Sequence, residues 1–278
     1  MDDPAGQVAA ISVLVPSYNP GVYLREALMS ALEQLGPDDE ILVQDAGSTD
    51  GSKQLLDDLA AADPRVKPVV ESDDGQSDAL NRALNRAINP WVLWLNADDV
   101  LLSSAMSALR AALGTDTTVD LVVGGHQIIR ADGTCIDTFA GKPLDASAMV
   151  AHGCAAFSGS ILVRTELLKR VGGFENELNT AMDLALQLEI AATHPRQVVI
   201  SDPIGALRFH EASKSANLWR EFVREGHAVR MRHADGLTQH AAALAMTARH
   251  LVEVPLFRLR LTPAYRIWRR RALRIVRG

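Results

Sequence analysis

Four times within its first 113 residues the chain runs from a short apolar stretch into a polar loop and then into a helix-spaced segment. Ile11 to Val15 (ISVLV) leads into Pro16-Ser17-Tyr18-Asn19-Pro20, and Val22 to Gln34 follows with Leu24, Ala27, Leu28, Ala31 and Leu32 at helical spacing. Glu40 to Gln44 ends at Asp45 and a Gly/Ser/Thr/Asp cluster before a helix over Ser52 to Ala62. Val66 to Val70 precedes a helix over Ser77 to Ala87, and Trp91 to Leu95 runs into Asn96-Ala97-Asp98-Asp99 before a helix over Ser103 to Leu113. Strands that alternate with helices of this length predict a mostly parallel sheet covered on both faces. Such sheets bind ligands at the carboxyl ends of their strands. Every polar cluster of this region falls at that edge.

Beyond residue 115 the pattern changes. Leu121 to Ile129 and Thr134 to Phe139 read as strands joined by the turn Ala131-Asp132-Gly133, and Phe157 to Val163 as a further strand. Gly172-Gly173 follows a short helix, Asn179 to Ala192 reads as a helix with Asp183 near its start, and the text from about residue 216 is mainly helical. There is no internal repeat.

Composition excludes several classes. Hydrophobic residues at 47% and charged residues at 22% of 278 are those of a soluble globular protein, not of a disordered, collagenous or coiled-coil chain. Two cysteines, Cys135 and Cys154, are too few for a disulfide scaffold and form no CxxC pair for a thiolate metal site. The acidic start, MDDPAGQ, lacks the basic and apolar regions of a signal peptide, and no apolar run approaches the ~20 residues of a spanning helix. A cytoplasmic location is therefore expected.

The net charge of −6 is unevenly spread: residues 249–278 carry nine Arg and one acid, Glu253. That leaves an acidic body, which argues against a nucleic-acid partner. The tail mixes Arg with Leu, Ile, Trp and Tyr, the composition of an interfacial helix. It could dock on an anionic membrane at the inner face or pack on the acidic body, and the sequence leaves both open.

Four acidic clusters meet at the one sheet edge: Asp45; Asp73 with Asp74; Asp98 with Asp99; and Asp183. Crowded carboxylates repel unless a positive charge sits among them. A hard divalent cation shared with substrate phosphates meets that need with only one or two protein carboxylates.

Taken in order, SVLVPSYN, VQDAGSTDGS, DDGQSDALNRA, LNADD, GGF, MDLALQL and FHEASKS resemble the motif series of family 2 glycosyltransferases with the GT-A fold, over about residues 10 to 215. The resemblance implies an α/β GT-A domain over residues 1–215: a nucleotide-sugar-binding half at about 10–100 and an acceptor-binding half with a smaller mixed sheet at 101–215. Residues 216–278 would form a helical, basic C-terminal segment. It implies that Pro16, Ser17, Tyr18, Asn19 and Asp45 hold the base of the donor, and that Asp73 and Asn81 lie beside the nucleotide. Asn96, Ala97 and Asp98 occupy the family's DXD positions, with Asn96 in place of the first Asp. Asp98, with Asp99 beside it and His210, would hold Mn2+ or Mg2+, and Lys214 could reach the diphosphate. Asp183, preceded here by Met182 rather than a second acid, would be the general base of an inverting transfer.

The implied donor is a UDP-, dTDP- or GDP-linked sugar. The implied acceptor is a glycan or lipid-linked hydroxyl in bacterial cell-surface polysaccharide or glycolipid synthesis. Each residue also has a plainer reading: an Asx turn for Asp45, a strand-ending turn for Pro16 to Asn19, a solvated helix face for Asn81, and helix caps for Asp98, Asp99 and Asp183. Trp91 and Trp94 read as packing, and His126 and His152 as bland. A nucleotidyltransferase would need a Gly-rich basic loop after the first strand, which PSYNPG does not supply, and an oxidoreductase a GxGxxG there. A nucleotide-binding protein of the same fold without transferase activity remains the other alternative.

Overall fold

The computed structural model describes residues 9–114, 116–210 and 218–261. The anticipated alternation is present: β1 (Ile11–Ser17), α1 (Tyr23–Leu32), β2 (Glu40–Asp45), α2 (Ser52–Ala62), β3 (Val66–Val70), α3 (Gln76–Arg86), β4 (Trp91–Trp94), β5 (Val100–Leu101) and α4 (Ala105–Leu113). Then follow β6 (Leu121–Arg130), β7 (Cys135–Phe139), α5 (Ala146–His152), a 3-10 turn (Ser158–Ser160), β8 (Ile161–Arg164), α6 (Thr165–Arg170), α7 (Met182–Ala192) and β9 (Gln197–Phe209). Two helices complete the described chain, α8 (Trp219–His233) and α9 (Gly236–Leu261). None of the described helices is long and apolar enough to cross a membrane.

The strands form one sheet in the order β3-β2-β1-β4-β8-β6-β9-β5, with β7 paired to β6. β1 runs parallel to both β2 and β4, while β8 is antiparallel to β4 and β6. The chain winds outward from β1 in both directions, so the order reverses between β1 and β4. That reversal opens a crevice outside their carboxyl ends. Ser17 and its loop stand on one side of the crevice, and Asn96 to Asp99 on the other.

Alternation along β1 explains why both faces are covered. Ile11, Val13 and Val15 pack with α1, α2 and α4, through Leu24, Leu28, Leu56 and Leu109. Leu14 faces the other way, into a cluster with Leu80, Ala83 and Leu84 of α3 and Leu184 and Leu188 of α7. Leu24, Ala27, Leu28 and Ala31 give α1 its buried stripe at the i, i+3, i+4, i+7 spacing. Truncating a core leucine such as Leu28 to alanine would cost about 2–5 kcal/mol.

Two features depart from the sequence reading. The 13-residue β9 was not anticipated; Ser201-Asp202-Pro203 and Gly205 interrupt its apolar pattern. The strand survives by bulging, with register shifts opposite Gly124 and Gly125 of β6. The short helix α5 was missed as well; Asp145 caps it by accepting from the Ala148 N–H at 2.7 Å. α8 and the first part of α9 pack on the body: Val229 and Ala243 are buried in the same cluster as Leu14 and Leu188. Lys214, with the rest of FHEASKS after His210, and the tail from residue 262 lie outside the described residues.

Candidate active site

The β1 and β2 loops are tied to each other. Asp45, at the end of β2, is fully buried and both of its oxygens are occupied. Oδ1 accepts the Gly47 and Ser48 N–H groups at 3.1 and 2.7 Å, and Oδ2 accepts the Ser17 and Ser48 hydroxyls at 2.6 and 2.7 Å. This is the Asx-turn arrangement. Asn19 adopts the left-handed conformation (φ 46°); its N–H donates to Ser48 Oγ and its side-chain oxygen accepts from Thr49 N–H, both at 2.8 Å. Pro16 is buried within β1, whereas the Tyr18 ring stands 68% exposed at the rim.

Asp73 lies deeper. One of its oxygens accepts from Gly75 N–H at 3.0 Å, while Oδ2 is enclosed and has no hydrogen-bond partner. Burial raises its pKa, and the nearby Asp78 and Asp45 carboxylates add to the shift. Asn81, expected beside the nucleotide, is committed elsewhere. Its amide accepts from Phe174 N–H at 2.9 Å and donates to Phe174 O at 2.7 Å and Asn176 Oδ1 at 3.0 Å. It clamps the turn at Gly172-Gly173. Gly173 (φ 71°) must be glycine for this clamp, because a Cβ there would come 2.5 Å from Asn81 Oδ1.

Asn96 organises the third loop. Its carbonyl oxygen accepts from Gln76 Nε2 and Trp94 Nε1, both at 2.8 Å, and its amide donates to Asp99 Oδ2 at 2.8 Å. Ala97 is buried beneath the loop. Asp98 and Asp99 point apart. Asp99 is fully buried and accepts the Arg208 N–H at 2.7 Å. Burial, reinforced by the Asp98 charge, pushes its pKa well above the usual carboxylate range. Asp98 remains partly exposed, with Oδ2 2.9 Å from His210 Nε2. One carboxylate and one imidazole at this distance are a compatible donor pair for Mn2+, with phosphate oxygens free to complete the shell. Among the described residues no group of three or more acidic, His or Cys side chains forms a closed metal cage.

Sequence reasoning passed over Arg208. It alternates with His210 along the strand direction, so both side chains face the Asp98 loop. Its buried guanidinium donates to the carbonyls of Asp98 (2.9 Å) and Ala131 (3.2 Å) and pairs with Glu26 at 2.7 Å. It also stacks over Tyr23, 5.0 Å from the ring centre, and Tyr23 in turn lies 4.9 Å from the His210 ring.

Asp183 stands in the first turn of α7, half-buried. Leu184 N–H donates to it at 2.7 Å, but burial outweighs this and raises its pKa. It lines a cavity of about 30 Å3, room for about one water, with Trp94, Ser158, Phe174 and Gln187. Trp94 and Ser158 are also the neighbours of Asn96, at 2.8 and 3.4 Å. Trp94 and Ser158 therefore link the Asp183 cavity to the Asn96 loop that carries Asp98. The turn before α7 is held from α8: buried Glu225 accepts the N–H groups of Asn179, Thr180 and Ala181 and the Thr180 hydroxyl at 2.8–3.1 Å. No sequence signal marked Glu225 for this role.

Residues 12–134 match the family model described as glycosyl transferase family 2. A putative teichuronic acid biosynthesis glycosyltransferase, TuaG of Bacillus subtilis, is 26% identical over 76% of this chain and 83% of its own length. The chain spans between about a fifth and two fifths of the length of several other curated relatives that it matches. Among solved structures, Staphylococcus aureus TarS 1-349 in complex with UDP-GlcNAc aligns with a TM-score of 0.64 at 22% identity, covering 87% of this chain and 71% of that one. The mannosyltransferase PcManGT of Pyrobaculum calidifontis, in complex with GDP-Man and Mn2+, aligns at 0.58 and 22%, covering 96% and 84%. Residues 12–134 thus resemble glycosyl transferase family 2, and the chain shares the GT-A fold of these solved glycosyltransferases.

Proposed function

We propose that the protein transfers a sugar, with inversion, from a nucleotide-diphosphate donor to an acceptor hydroxyl in the synthesis of a bacterial cell-surface polysaccharide or glycolipid. What supports this reading is a carboxylate–imidazole pair (Asp98, His210) and a separate, partly buried carboxyl with a raised pKa (Asp183), linked through Asn96, Trp94 and Ser158. The relatives named for cell-surface glycan assembly and the neighbours holding UDP-GlcNAc or GDP-Man support the substrate class.

In this reading the rim residues Pro16, Ser17, Tyr18 and Asn19 receive the base, with Tyr18 free to stack on it. Asp45 holds that loop in shape, since both of its oxygens are already used. Asp73 offers its unused oxygen to nucleoside N–H or O–H donors. Asp98 and His210 would hold Mn2+ or Mg2+, which when bound offsets the charge of the departing nucleoside diphosphate. Asp99 and Asn96 set the angle of that loop from beneath, and Arg208 pins its backbone. Asn81 acts at one remove, by shaping the turn at Gly172-Gly173.

Asp183 takes the proton of the acceptor hydroxyl as it attacks the anomeric carbon. A single displacement needs one base and no covalent intermediate. Burial suits the group to that role by raising its pKa above that of a free carboxyl. The basic tail would carry the enzyme to an anionic membrane surface where lipid-linked acceptors lie. The direct test replaces Asp183 by Asn and measures donor binding and sugar transfer separately. Transfer should fall to background while donor affinity stays within about threefold. Substantial residual transfer would remove Asp183 from the mechanism.

A further inference from the structure

We infer that Arg230, with Cys154, forms a subsite for a negatively charged group of the acceptor, a carboxylate or a phosphate. The inference rests on Asp183 being the base, and it names the class of acceptor that this base serves.

Arg230 of α8 is only 1% exposed, yet its Nε and Nη2 are enclosed and donate to nothing. No carboxylate among the described residues pairs with it. The buried Arg208 differs, reaching Glu26 and backbone carbonyls, as do the half-buried Arg110, which pairs with Asp39, and Arg86, which donates to Val43 O at 3.1 Å. A guanidinium cannot shed its charge as a lysine can. Burying one without a partner is costly, a penalty that an incoming anion removes.

The surroundings fit a receiving site. The side chain folds back over Gly226, one turn earlier in α8; a Cβ at that position would lie 3.3 Å from both terminal nitrogens. The helix that carries Arg230 packs against both α5, which ends two residues before the exposed Cys154, and α7, which carries Asp183, and the guanidinium and the Asp183 carboxyl both act electrostatically on the Cys154 thiol. The cation thus lies in the layer of side chains between α8 and the candidate base. An acceptor whose hydroxyl meets Asp183 would carry its charged group to Arg230, and the planar fork matches carboxylate and phosphate oxygens two at a time. The remainder of the body is acidic and would otherwise repel such an acceptor.

The test is equilibrium binding without donor, so that no turnover is involved. Methyl glucuronide, glycerol phosphate and the neutral methyl glucoside are titrated against the full chain by NMR. Cys154 alkylation, followed by peptide mass spectrometry, provides a second readout in the wild type. At least one anion should bind about tenfold or more tightly than the glucoside and slow alkylation of Cys154, and which anion does so identifies the source of the charge. R230M should lose that preference without a lower melting temperature, and R230K should keep part of it. Equal binding of charged and neutral probes, or a preference unchanged in R230M, would overturn the proposal. D183N separates the two readings: it should keep the anion preference while losing transfer. Transfer surviving in D183N would count against the base and leave the Arg230 result standing.

Discussion

Glu225 offers a sharp quantitative check, because one carboxylate from α8 holds the turn that presents Asp183. α7 has no side-chain cap of its own, its N-cap position being Ala181. Glu225 supplies that function from 44 residues away, accepting three backbone N–H groups and one hydroxyl. Hydrogen bonds to a charged acceptor contribute about 1.5–3 kcal/mol each, and orphaned N–H groups in a half-buried turn recover part of that from water. Glu225→Ala should therefore cost about 3–5 kcal/mol in stability. At about 2–4 °C per kcal/mol for a chain of this size, the melting temperature should drop by about 6–20 °C. Glu225→Gln, which keeps one accepting oxygen, should lose about half as much.

The pH dependence has a definite sign. Burial pushes the Glu225 carboxyl up, but the bonds from Thr180, Asn179 and Ala181 outweigh it and the net shift is downward. A carboxyl with a depressed folded-state pKa adds stability above its unfolded pKa and loses it as pH falls through the folded one. The wild type should thus lose its advantage over Glu225→Gln only below about pH 4, where free carboxylates protonate. Differential scanning fluorimetry across pH measures both effects. A Glu225→Ala protein melting within about 1 °C of wild type at pH 7 would show that the turn is held by something else.

Two further outcomes follow from the site and the tail. Because burial raises the Asp183 pKa, the acid limb of the kcat/KM profile should lie above the ordinary range for aspartate, with activity lost as pH drops through it; a limb at or below pH 4 would contradict a buried base. Removing residues 258–278 should abolish sedimentation with anionic vesicles and spare binding of nucleoside diphosphate; undiminished vesicle binding would leave the tail packed on the body instead.

Much of this architecture is written locally in the chain, and the exceptions have physical causes. The first four strands and helices are legible because each buries a continuous or 3.6-spaced apolar set. β9 is not, because its identity depends on bulges against β6 that turn Asp202-Pro203 into an interruption rather than an end. The acidic clusters could be placed at one sheet edge, but not the direction of each side chain. Asp98 and Asp99 are adjacent, yet one faces the cleft and the other is sealed against Arg208 N–H. Asp45 shows both readings of the sequence at once: it stands at the cleft, and its oxygens are consumed by the Asx turn. Trp94 packs as expected, edge-on to Phe174 at 5.2 Å, but its indole N–H also orients Asn96. Glu225 was invisible because the backbone groups that it accepts from lie some 44 to 46 residues upstream, a pairing that only the folded chain creates.

The central claim is a cation-dependent grip on the donor diphosphate by Asp98 and His210. Calorimetric titration of UDP, GDP and dTDP, each with and without Mn2+, tests it most directly when run on the wild type beside Asp98→Ala. The account expects one nucleotide to bind the wild type about tenfold or more tightly with the metal present, and that gain to vanish in Asp98→Ala. Metal-independent binding, or a metal gain that survives without Asp98, would contradict it.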